Sequence, residues 1–155
     1  MGNICFEPIG FVSSHFTRPK DLVIACEKGM KTKTSSKIII EERFASGLEG
    51  LEEFSHVFVL YYLDMAERIE LKTHPGPPSV KGLPKVGVFA SRSQYRPNKI
   101  ALRLARIVKI EKNVLHVEGL DAVDNSPVLD IKPYVSGFDR PKEFKTASWY
   151  DWLIV

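Results

Sequence analysis

The sequence predicts an all-β domain that folds as a barrel or a sandwich. About seven short segments have the β-branched and aromatic composition of strands, and polar or Pro-rich connections separate them. The segments do not alternate with long helical patterns, which argues against a parallel, doubly wound sheet. The chain has 155 residues, 44% of them hydrophobic, which is enough for one domain with a buried core.

The first half of the chain contains three predicted strands and one helical stretch. Residues 6–14 and 37–44 have strand composition, and residues 13–21 between them are polar and predicted as a loop. Residues 45–54 carry apolar side chains at helical spacing, which predicts one or two helical turns. Residues 56–63 are almost continuously apolar, which is typical of a strand buried on both faces.

The second half contains shorter strands, a hairpin and long connections. Residues 70–73 and 86–91 are predicted as strands, and the connection 74–84 between them holds four prolines. Apolar and polar residues alternate along 100–118, which predicts a hairpin that turns near position 112. The last predicted strand, 128–134, alternates in polarity, which places Leu129 and Ile131 on one face and Asp130 and Lys132 on the other.

The segment 86–101 is the most distinctive part of the chain. It runs from an apolar strand into a polar loop with Arg92 and Arg96, and a second apolar strand begins at Ile100. Pro97 restricts Arg96 to an extended conformation, so the loop is expected to be rigid. Rigid loops between strands commonly carry binding groups, although a solvated hairpin loop with two surface arginines would have the same sequence.

Several common functional classes have no support in the sequence. It contains no GxGxxG, P-loop, HExxH or GxSxG pattern. The two cysteines form no CxxC pair and the four histidines have no ligand spacing, so no metal site is expected. A net charge of +3 permits an anionic partner such as RNA without requiring one. Without a signal-peptide pattern or a membrane-length apolar run, a cytoplasmic location is expected.

Polar side chains concentrate in the turns and strand ends of the predicted sheet. They are Asp64, Arg92, Arg96, Asp121, Asp124, Asp130, Lys132 and Tyr134. If the fold brings them together, their carboxylates can bind ribose hydroxyls and a guanidinium can pair with a carboxylate. Such a site would suit a ligand with hydroxyls, a carboxylate and a planar ring. The alternative is a set of unrelated turn residues, because Asp favours turns for local reasons.

Six ordered blocks match a known family. They are Pro8-Ile9-Gly10 with Val12 and Ser14, Gly50-Leu51-Glu52 with Phe54-Ser55-His56, Gly87-Val88-Phe89-Ala90 with Arg92-Ser93, Arg96-Pro97-Asn98, Leu120-Asp121 with Val123-Asp124, and Pro127-Val128 with Asp130-Ile131-Lys132-Pro133-Tyr134. Through these blocks the chain resembles the TsaA-like family, which includes the tRNA (adenine-N6)-methyltransferase TrmO. The resemblance predicts a single domain over residues 1–155, with a core at 6–139 and a tail at 140–155.

The resemblance implies a small antiparallel β-barrel that dimerises and binds S-adenosylmethionine. It further implies methylation of N6 of threonylcarbamoyl-adenosine next to the anticodon of tRNA. The cofactor positions that it implies are Asp64, Met65, Arg92, Leu102, Asp121, Ala122, Val123 and Asp124, and an N-terminal contact placed by ungapped spacing at Val23, Ile24 and Ala25. The Lys-rich segment 28–37 would attract the tRNA.

Catalytic and acceptor roles are assigned within the last predicted strand. Asp130 or Tyr134 would accept a hydrogen bond from the adenine amine and orient it. Lys132 or Arg96 would pair with the carboxylate of the acceptor, or Lys132 with a phosphate. The alternative is that Asp130 and Lys132 form a structural pair on the barrel.

The chain also departs from the family pattern. Asp64 replaces a common histidine, Lys99 and Ala101 replace a proline and a glycine, Asn125 replaces a glycine, and the N-terminal loop lacks the usual proline and glutamine. Three hypotheses therefore stand. The leading one is an S-adenosylmethionine-dependent tRNA methyltransferase. The others are an S-adenosylmethionine-binding protein with another acceptor or a sensor role, and a non-catalytic RNA-binding barrel.

Overall fold

A computed structural model describes residues 2–27 and 34–153 and shows a closed antiparallel β-barrel. The strands are β1 Gly10–Ser13, β2 Ser35–Ile40, β3 His56–Tyr62, β4 Lys72–Thr73, β5 Val86–Gly87, β6 Ile100–Glu111, β7 Val114–Glu118 and β8 Pro127–Pro133. Six of them close the barrel in the order β1-β2-β7-β6-β3-β8, and β4 pairs with β5 in a separate two-stranded sheet. The prediction of a small all-β barrel is confirmed.

Strand β3 shows how the barrel sorts its side chains. Val57, Val59 and Tyr61 point into the core and are at most 4% exposed. Phe58 and Leu60 alternate with them on the outside and are only half-buried. The prediction that this strand is buried on both faces is therefore wrong. Its outer positions are apolar because Phe58 and Leu60 lie beside apolar partners of β6.

Strand β8 contains an irregularity that changes which side chains enter the core. Leu60 of β3 pairs with Asp130 and Tyr61 pairs with Val128, so Leu129 has no partner and forms a β-bulge. As a result Val128, which is fully buried, packs in the core together with Ile131. The prediction that Leu129 shares a face with Ile131 is wrong for this reason. The sequence alternation alone could not reveal the inserted residue.

Helical segments are short and flank the barrel. The 3₁₀ turns Glu42–Leu48 and Leu51–Glu53 confirm the predicted helical turns, and further short helices are α1 Pro19–Glu27, α2 Ser136–Asp139 and the 3₁₀ turns Val88–Ala90 and Ser148–Leu153. The loop predicted for 13–21 is wrong at its end, because Pro19 begins α1. The strand predicted for 86–91 is wrong beyond Gly87, because a 3₁₀ turn follows. No helix among the described residues is long and apolar enough to cross a membrane.

Barrel closure depends on a close approach at Gly10. A Cβ atom at this position would collide with the carbonyl oxygen of Ile39 and lie 2.9 Å from the Cα of Ile40. Gly10 pairs with Ile40 on one side and with Val128 on the other, so it joins β2 to β8. Only a residue without a side chain allows β1 to sit between these strands.

Candidate functional site

A cleft opens at the barrel end where β1 and β3 finish and β6 and β8 begin. Its outer part, here called the outer cleft, has a volume of about 490 Å³ and is lined among others by Arg18, Arg68 and Tyr95. A narrow inner recess of about 30 Å³ continues it and reaches Tyr61, Asp121 and Val123. Pro19, Asp64, Met65 and Gln94 line both parts, so they form one continuous site.

The inner recess has a polar floor. The Tyr61 hydroxyl donates to the backbone carbonyl of Asp121 at 3.1 Å and to its Oδ1 at 3.2 Å. Arg103 points into the barrel because its partner in the sheet is Val59, and its Nε lies 3.8 Å from the same Oδ1. That Nε also donates to the Gly119 carbonyl at 2.7 Å. The carboxylate of Asp121 is therefore held in a defined orientation at the bottom of the cleft.

The electrostatics of this floor keep the tyrosine protonated. Burial raises the pKa of the Tyr61 hydroxyl well above its usual value. The charge and hydrogen bond of Asp121 raise the pKa further, and the positive charges of Arg103 and Arg92 oppose this increase. Tyr61 consequently acts as a hydrogen-bond donor toward Asp121 and not as an acceptor.

A tight turn after β3 places Asp64 and Met65 at the mouth of the recess. The Leu63 amide donates to the Lys99 carbonyl at 2.8 Å, and the Ala66 amide donates to the Leu63 carbonyl at 3.1 Å. Ala66 is buried, whereas the two turn residues are exposed along the cleft. Both were predicted as cofactor positions, and the structure brings them together with Asp121.

The loop that follows β7 is divided between the cleft and the core. Val123 lines the recess, whereas Ala122 is fully buried in the core. Asp124 connects this loop to the segment that follows β1. Its Oδ1 accepts a hydrogen bond from the Ser14 amide at 2.9 Å, and its backbone amide donates to the Phe16 carbonyl at 2.7 Å. Its side chain lines neither part of the cleft. The predicted cofactor roles of Ala122 and Asp124 remain predictions.

The loop with the two arginines is held by hydrogen bonds to its own backbone, and its predicted rigidity stays a prediction. Arg96 Nη1 donates to the carbonyls of Ser91 and Ser93, both at 3.3 Å. Ser91 Oγ donates to the Val88 carbonyl at 2.8 Å, which fixes the base of the loop. With its guanidinium bound to the loop backbone, Arg96 acts as a clamp. Its predicted contact with an acceptor is not visible in this arrangement and stays a prediction.

Arg92 and Leu102 lie outside the cleft lining. Arg92 Nη2 donates to the Leu102 carbonyl at 2.7 Å. Leu102 pairs with Leu60, so its side chain is on the outer face of the barrel, where it is 43% exposed. The Arg92 charge nevertheless acts on the Tyr61 hydroxyl beside Asp121, and the predicted cofactor roles of Arg92 and Leu102 stay predictions.

The predicted catalytic residues also lie on the outer face. Asp130 pairs with Leu60 across the sheet and Lys132 pairs with Phe58. Asp130 Oδ2 and Lys132 Nζ form an ion pair at 2.9 Å, and this hydrogen bond raises the pKa of the lysine. The Tyr134 ring packs 6.0 Å from that of Phe58. These residues share the outer face with Leu102, from which strand β3 separates them, and none of them lines the cleft.

Helix α1 contributes to the cleft through different residues than the spacing predicted. Val23 and Ile24 are exposed and Ala25 is buried, and none of the three lines either part. Pro19 and Leu22 of the same helix line the recess. The cofactor roles of Val23, Ile24 and Ala25 thus stay predictions. Of the Lys-rich segment 28–37 proposed to attract tRNA, residues 28–33 lie outside the described residues and strand β2 begins within the rest, so this role stays a prediction.

Among the cleft residues that sequence reasoning missed are Arg18, Arg68, Gln94 and Tyr95. A local signal existed for the first, because a proline followed two positions later by an aspartate is typical of a helix start. The Arg18 amide donates to Asp21 Oδ2 at 3.0 Å in agreement with this pattern. No local signal identifies the other three, since they come from two loops distant in sequence.

The comparisons with known proteins agree with the resemblance read from the sequence. Residues 11–140 match the family model described as the tRNA-methyltransferase O N-terminal domain. The chain belongs to this family. The structure of TrmO from Pseudomonas aeruginosa is similar with a TM-score of 0.71 at 28% identity, covering 93% of this chain and 61% of that one.

Two curated relatives differ in how much of their length is matched. A tRNA (adenine(37)-N6)-methyltransferase of Mus musculus is 37% identical over 145 residues, which are 91% of this chain and 33% of the relative. An S-adenosyl-L-methionine-binding protein of Archaeoglobus fulgidus (strain ATCC 49558 / DSM 4304 / JCM 9628 / NBRC 100126 / VC-16) is 39% identical over 133 residues, 86% of this chain and 91% of the relative. The chain thus spans about a third of the mouse relative's length and nearly all of the archaeal one.

Proposed function

We propose that this TrmO-family domain binds S-adenosylmethionine in the cleft and methylates N6 of threonylcarbamoyl-adenosine beside the tRNA anticodon, in the cytoplasm. One observation supports the cofactor assignment most. Asp64, Met65, Asp121 and Val123 come from two separate loops and converge on a single cleft. These are positions that the family pattern assigns to the cofactor, and their convergence is what a shared ligand requires.

The cleft has the chemistry that this cofactor needs. Its volume of about 490 Å³ lies in the range of small-molecule sites. The carboxylates of Asp64 and Asp121 suit ribose hydroxyls and an ammonium group, and Met65, Leu22 and Val123 provide apolar walls. When bound, S-adenosylmethionine supplies an electrophilic methyl group. The contribution of these residues is to hold the donor in line with the acceptor amine and to exclude water.

We further propose that the functional unit is a homodimer. The outer face, away from the cleft lining, carries Leu102, Asp130, Lys132 and Tyr134. Leu102 and Leu104 are 43% and 40% exposed there, next to Phe58 and Leu60. A second copy that covers this face would bury the apolar strip and bring its own cleft to Asp130 and Lys132. In that assembly Asp130 or Tyr134 would orient the adenine amine, and Lys132 would pair with the acceptor carboxylate.

Calorimetric titration with S-adenosylmethionine tests the cofactor site. Asp64→Ala and Asp121→Ala should each weaken binding about tenfold or more, because a hydrogen bond to a charged group is lost. Glu52→Ala is the control, since this exposed carboxylate lines neither part of the cleft. Unchanged affinity in both cleft variants would refute the assignment.

Labelled S-adenosylmethionine tests the acceptor. Label should enter tRNA that carries threonylcarbamoyl-adenosine, at adenine N6, and should not enter tRNA without the modification. Lys132→Ala should reduce the transfer more than it reduces cofactor binding. Cofactor binding without labelling of either tRNA would exclude the tRNA activity.

Sedimentation and mixing test the homodimer. Leu104→Asp should shift the wild-type dimer toward monomer, because it places a charge in the apolar strip. If the site is shared, mixing Asp121→Ala chains with Lys132→Ala chains should restore part of the activity that each variant alone has lost. A monomeric wild-type protein with full activity would exclude this arrangement.

A second candidate is an S-adenosylmethionine-binding protein with a different acceptor or a sensor role. It is favoured by the archaeal relative, which matches over 91% of its length and is named only as a binding protein. The replacements at Asp64 and Lys99 also permit it. Cofactor binding together with failure to methylate either tRNA would identify this function.

A further inference from the structure

The outer cleft contains a guanidinium–aromatic pair that the cofactor assignment does not use. The Arg68 guanidinium carbon lies 4.2 Å from the centroid of the Tyr95 ring. Both side chains line the outer cleft, and neither reaches the inner recess where Asp121 lies. We refer to Arg68 and Tyr95 as the stacking pair.

The stacking pair is held by contacts on both sides. Arg68 Nε donates to Glu70 Oε1 at 2.6 Å, and the Glu70 amide donates to the Tyr95 carbonyl at 2.8 Å. The Tyr95 amide in turn donates to Ser93 Oγ at 3.2 Å, within the loop that Arg96 clamps. The two planar groups are thus oriented by the chain itself, and a planar ligand would not need to organise them.

Other side chains of the outer cleft define the ligand further. Arg18, which directly precedes helix α1, lines this cleft and is paired with Asp21, which accepts hydrogen bonds from its backbone amide and Nη2. Asp64 and Glu67 add negative charges to the same lining. Gln94 adds an amide that can donate to and accept from a heterocycle edge. A planar ligand with hydrogen-bonding edges fits this set, and an unstacked base has both properties.

We propose that the wall of the outer cleft formed by Arg68 and Tyr95 is the acceptor subsite, on which the target adenine stacks, while the cofactor occupies the side of the cleft lined by Asp64 and Met65. This inference rests on the proposed function and specifies where its acceptor binds. A base must leave its stack to reach an active-site pocket, and an aromatic–guanidinium surface offsets part of that cost. Asp64 and Met65, which border both parts of the cleft, would then hold the cofactor beside the stacked base.

The chain offers a matched control for the stacking pair. Arg43 lies 4.5 Å from the centroid of the Phe44 ring and pairs with Glu41 at 2.9 Å, as Arg68 pairs with Glu70. The two arginine side chains are similarly exposed, 55% for Arg43 and 62% for Arg68. Arg43 lines neither part of the cleft, so Arg43→Gln removes the same kind of contact elsewhere.

The experiment compares RNA and cofactor affinity in the same variants. The probe is an anticodon stem-loop RNA that carries threonylcarbamoyl-adenosine, titrated by fluorescence anisotropy, and S-adenosylmethionine is titrated by calorimetry. Tyr95→Leu and Arg68→Gln should each weaken RNA binding about tenfold and leave cofactor affinity within about twofold. Tyr95→Phe should bind RNA like the wild type, since stacking needs the ring and not the hydroxyl. Arg43→Gln should change neither affinity.

Three results would overturn the inference. Unchanged RNA affinity in Tyr95→Leu and Arg68→Gln would show that no base stacks on the pair. An equal loss of cofactor affinity would assign the pair to the adenine of the cofactor. Absence of RNA binding by the wild type would exclude an RNA subsite altogether. Should Tyr95→Leu fail to fold, as judged by thermal unfolding, Arg68→Gln decides.

The inference and the proposed function fail in different ways. If the wild type methylates the RNA and the variants bind it normally, the subsite is wrong and the activity stands. If no methyl transfer occurs but RNA affinity still depends on Tyr95 and Arg68, the stacking site stands and the methyltransferase activity is excluded.

Discussion

Replacing Tyr61 with phenylalanine tests the link between the barrel core and the candidate site. The ring of Tyr61 is 4% exposed and fills the core, and its hydroxyl reaches Asp121 at the bottom of the inner recess. Phenylalanine keeps the ring and removes only the hydroxyl. The substitution therefore isolates the hydrogen bond from the packing.

The magnitude follows from the number and type of bonds lost. The hydroxyl has a single hydrogen, which is shared between the Asp121 carbonyl and Oδ1 at 3.1 and 3.2 Å. One hydrogen bond to a charged acceptor contributes about 1.5–3 kcal/mol. The lower end applies because the Arg103 guanidinium also faces the carboxylate. For a chain of this length a loss of about 1.5 kcal/mol lowers the melting temperature by about 3–6 °C.

The stabilisation by the Tyr61 hydroxyl should depend on pH. Because burial and Asp121 raise the pKa of the Tyr61 hydroxyl in the folded state, the folded protein keeps this proton at a pH where the unfolded chain loses it. The contribution is complete below the unfolded pKa of about 10 and is lost as pH rises through the higher folded pKa. The advantage of the wild type over Tyr61→Phe should therefore shrink above about pH 10.

Urea unfolding of both proteins between neutral and alkaline pH measures this advantage. Tyr62→Phe is the control, because the neighbouring ring is 38% exposed on the outer face and its change should cost less than about 0.5 kcal/mol. The reasoning would be refuted by an equal effect of the two substitutions at neutral pH. It would also be refuted by a difference between wild type and Tyr61→Phe that stays constant up to alkaline pH.

Three further predictions concern the backbone around the site. Gly10→Ala should destabilise the protein by about 3 kcal/mol or more, because the added Cβ would collide with the backbone of Ile39. Gly47→Ala should not destabilise it, because a Cβ at Gly47 would have no atom within 4 Å. Equal unfolding midpoints of the two variants would contradict this prediction. Asp124→Ala should lower the free energy of unfolding by about 1–3 kcal/mol, because it leaves the Ser14 amide without its acceptor. An unchanged free energy of unfolding would show that this hydrogen bond does not stabilise the fold. Lys99 has a φ of 42°, a left-handed conformation that glycine adopts at no steric cost, so Lys99→Gly should stabilise the fold by about 1 kcal/mol. Lys99→Pro, which restores the residue of the family pattern, should destabilise it, because proline cannot adopt this φ. A higher melting temperature for Lys99→Pro than for the wild type, measured by calorimetry, would refute this.

The sequence by itself determined the strands, the hairpin and part of the site. Alternation and β-branched runs are local properties, so β3 and the β6–β7 hairpin could be predicted from neighbouring residues. The family resemblance identified Asp64, Met65, Asp121 and Val123, which the structure brings to one cleft. Helix α1 was missed because its start signal is short and its apolar run covers only a few residues.

Only the tertiary structure decided which of the predicted residues share a site. The pairing of β3 with β6 and β8 places Leu102, Asp130 and Lys132 on the outside of the barrel, away from the lining of the cleft. The same packing brings Arg18, Arg68 and Tyr95 from distant loops to one outer cleft. Strand register and barrel closure are set by contacts between residues far apart in the chain. One inserted residue, such as Leu129, changes the face on which its neighbours lie, and no local pattern records it.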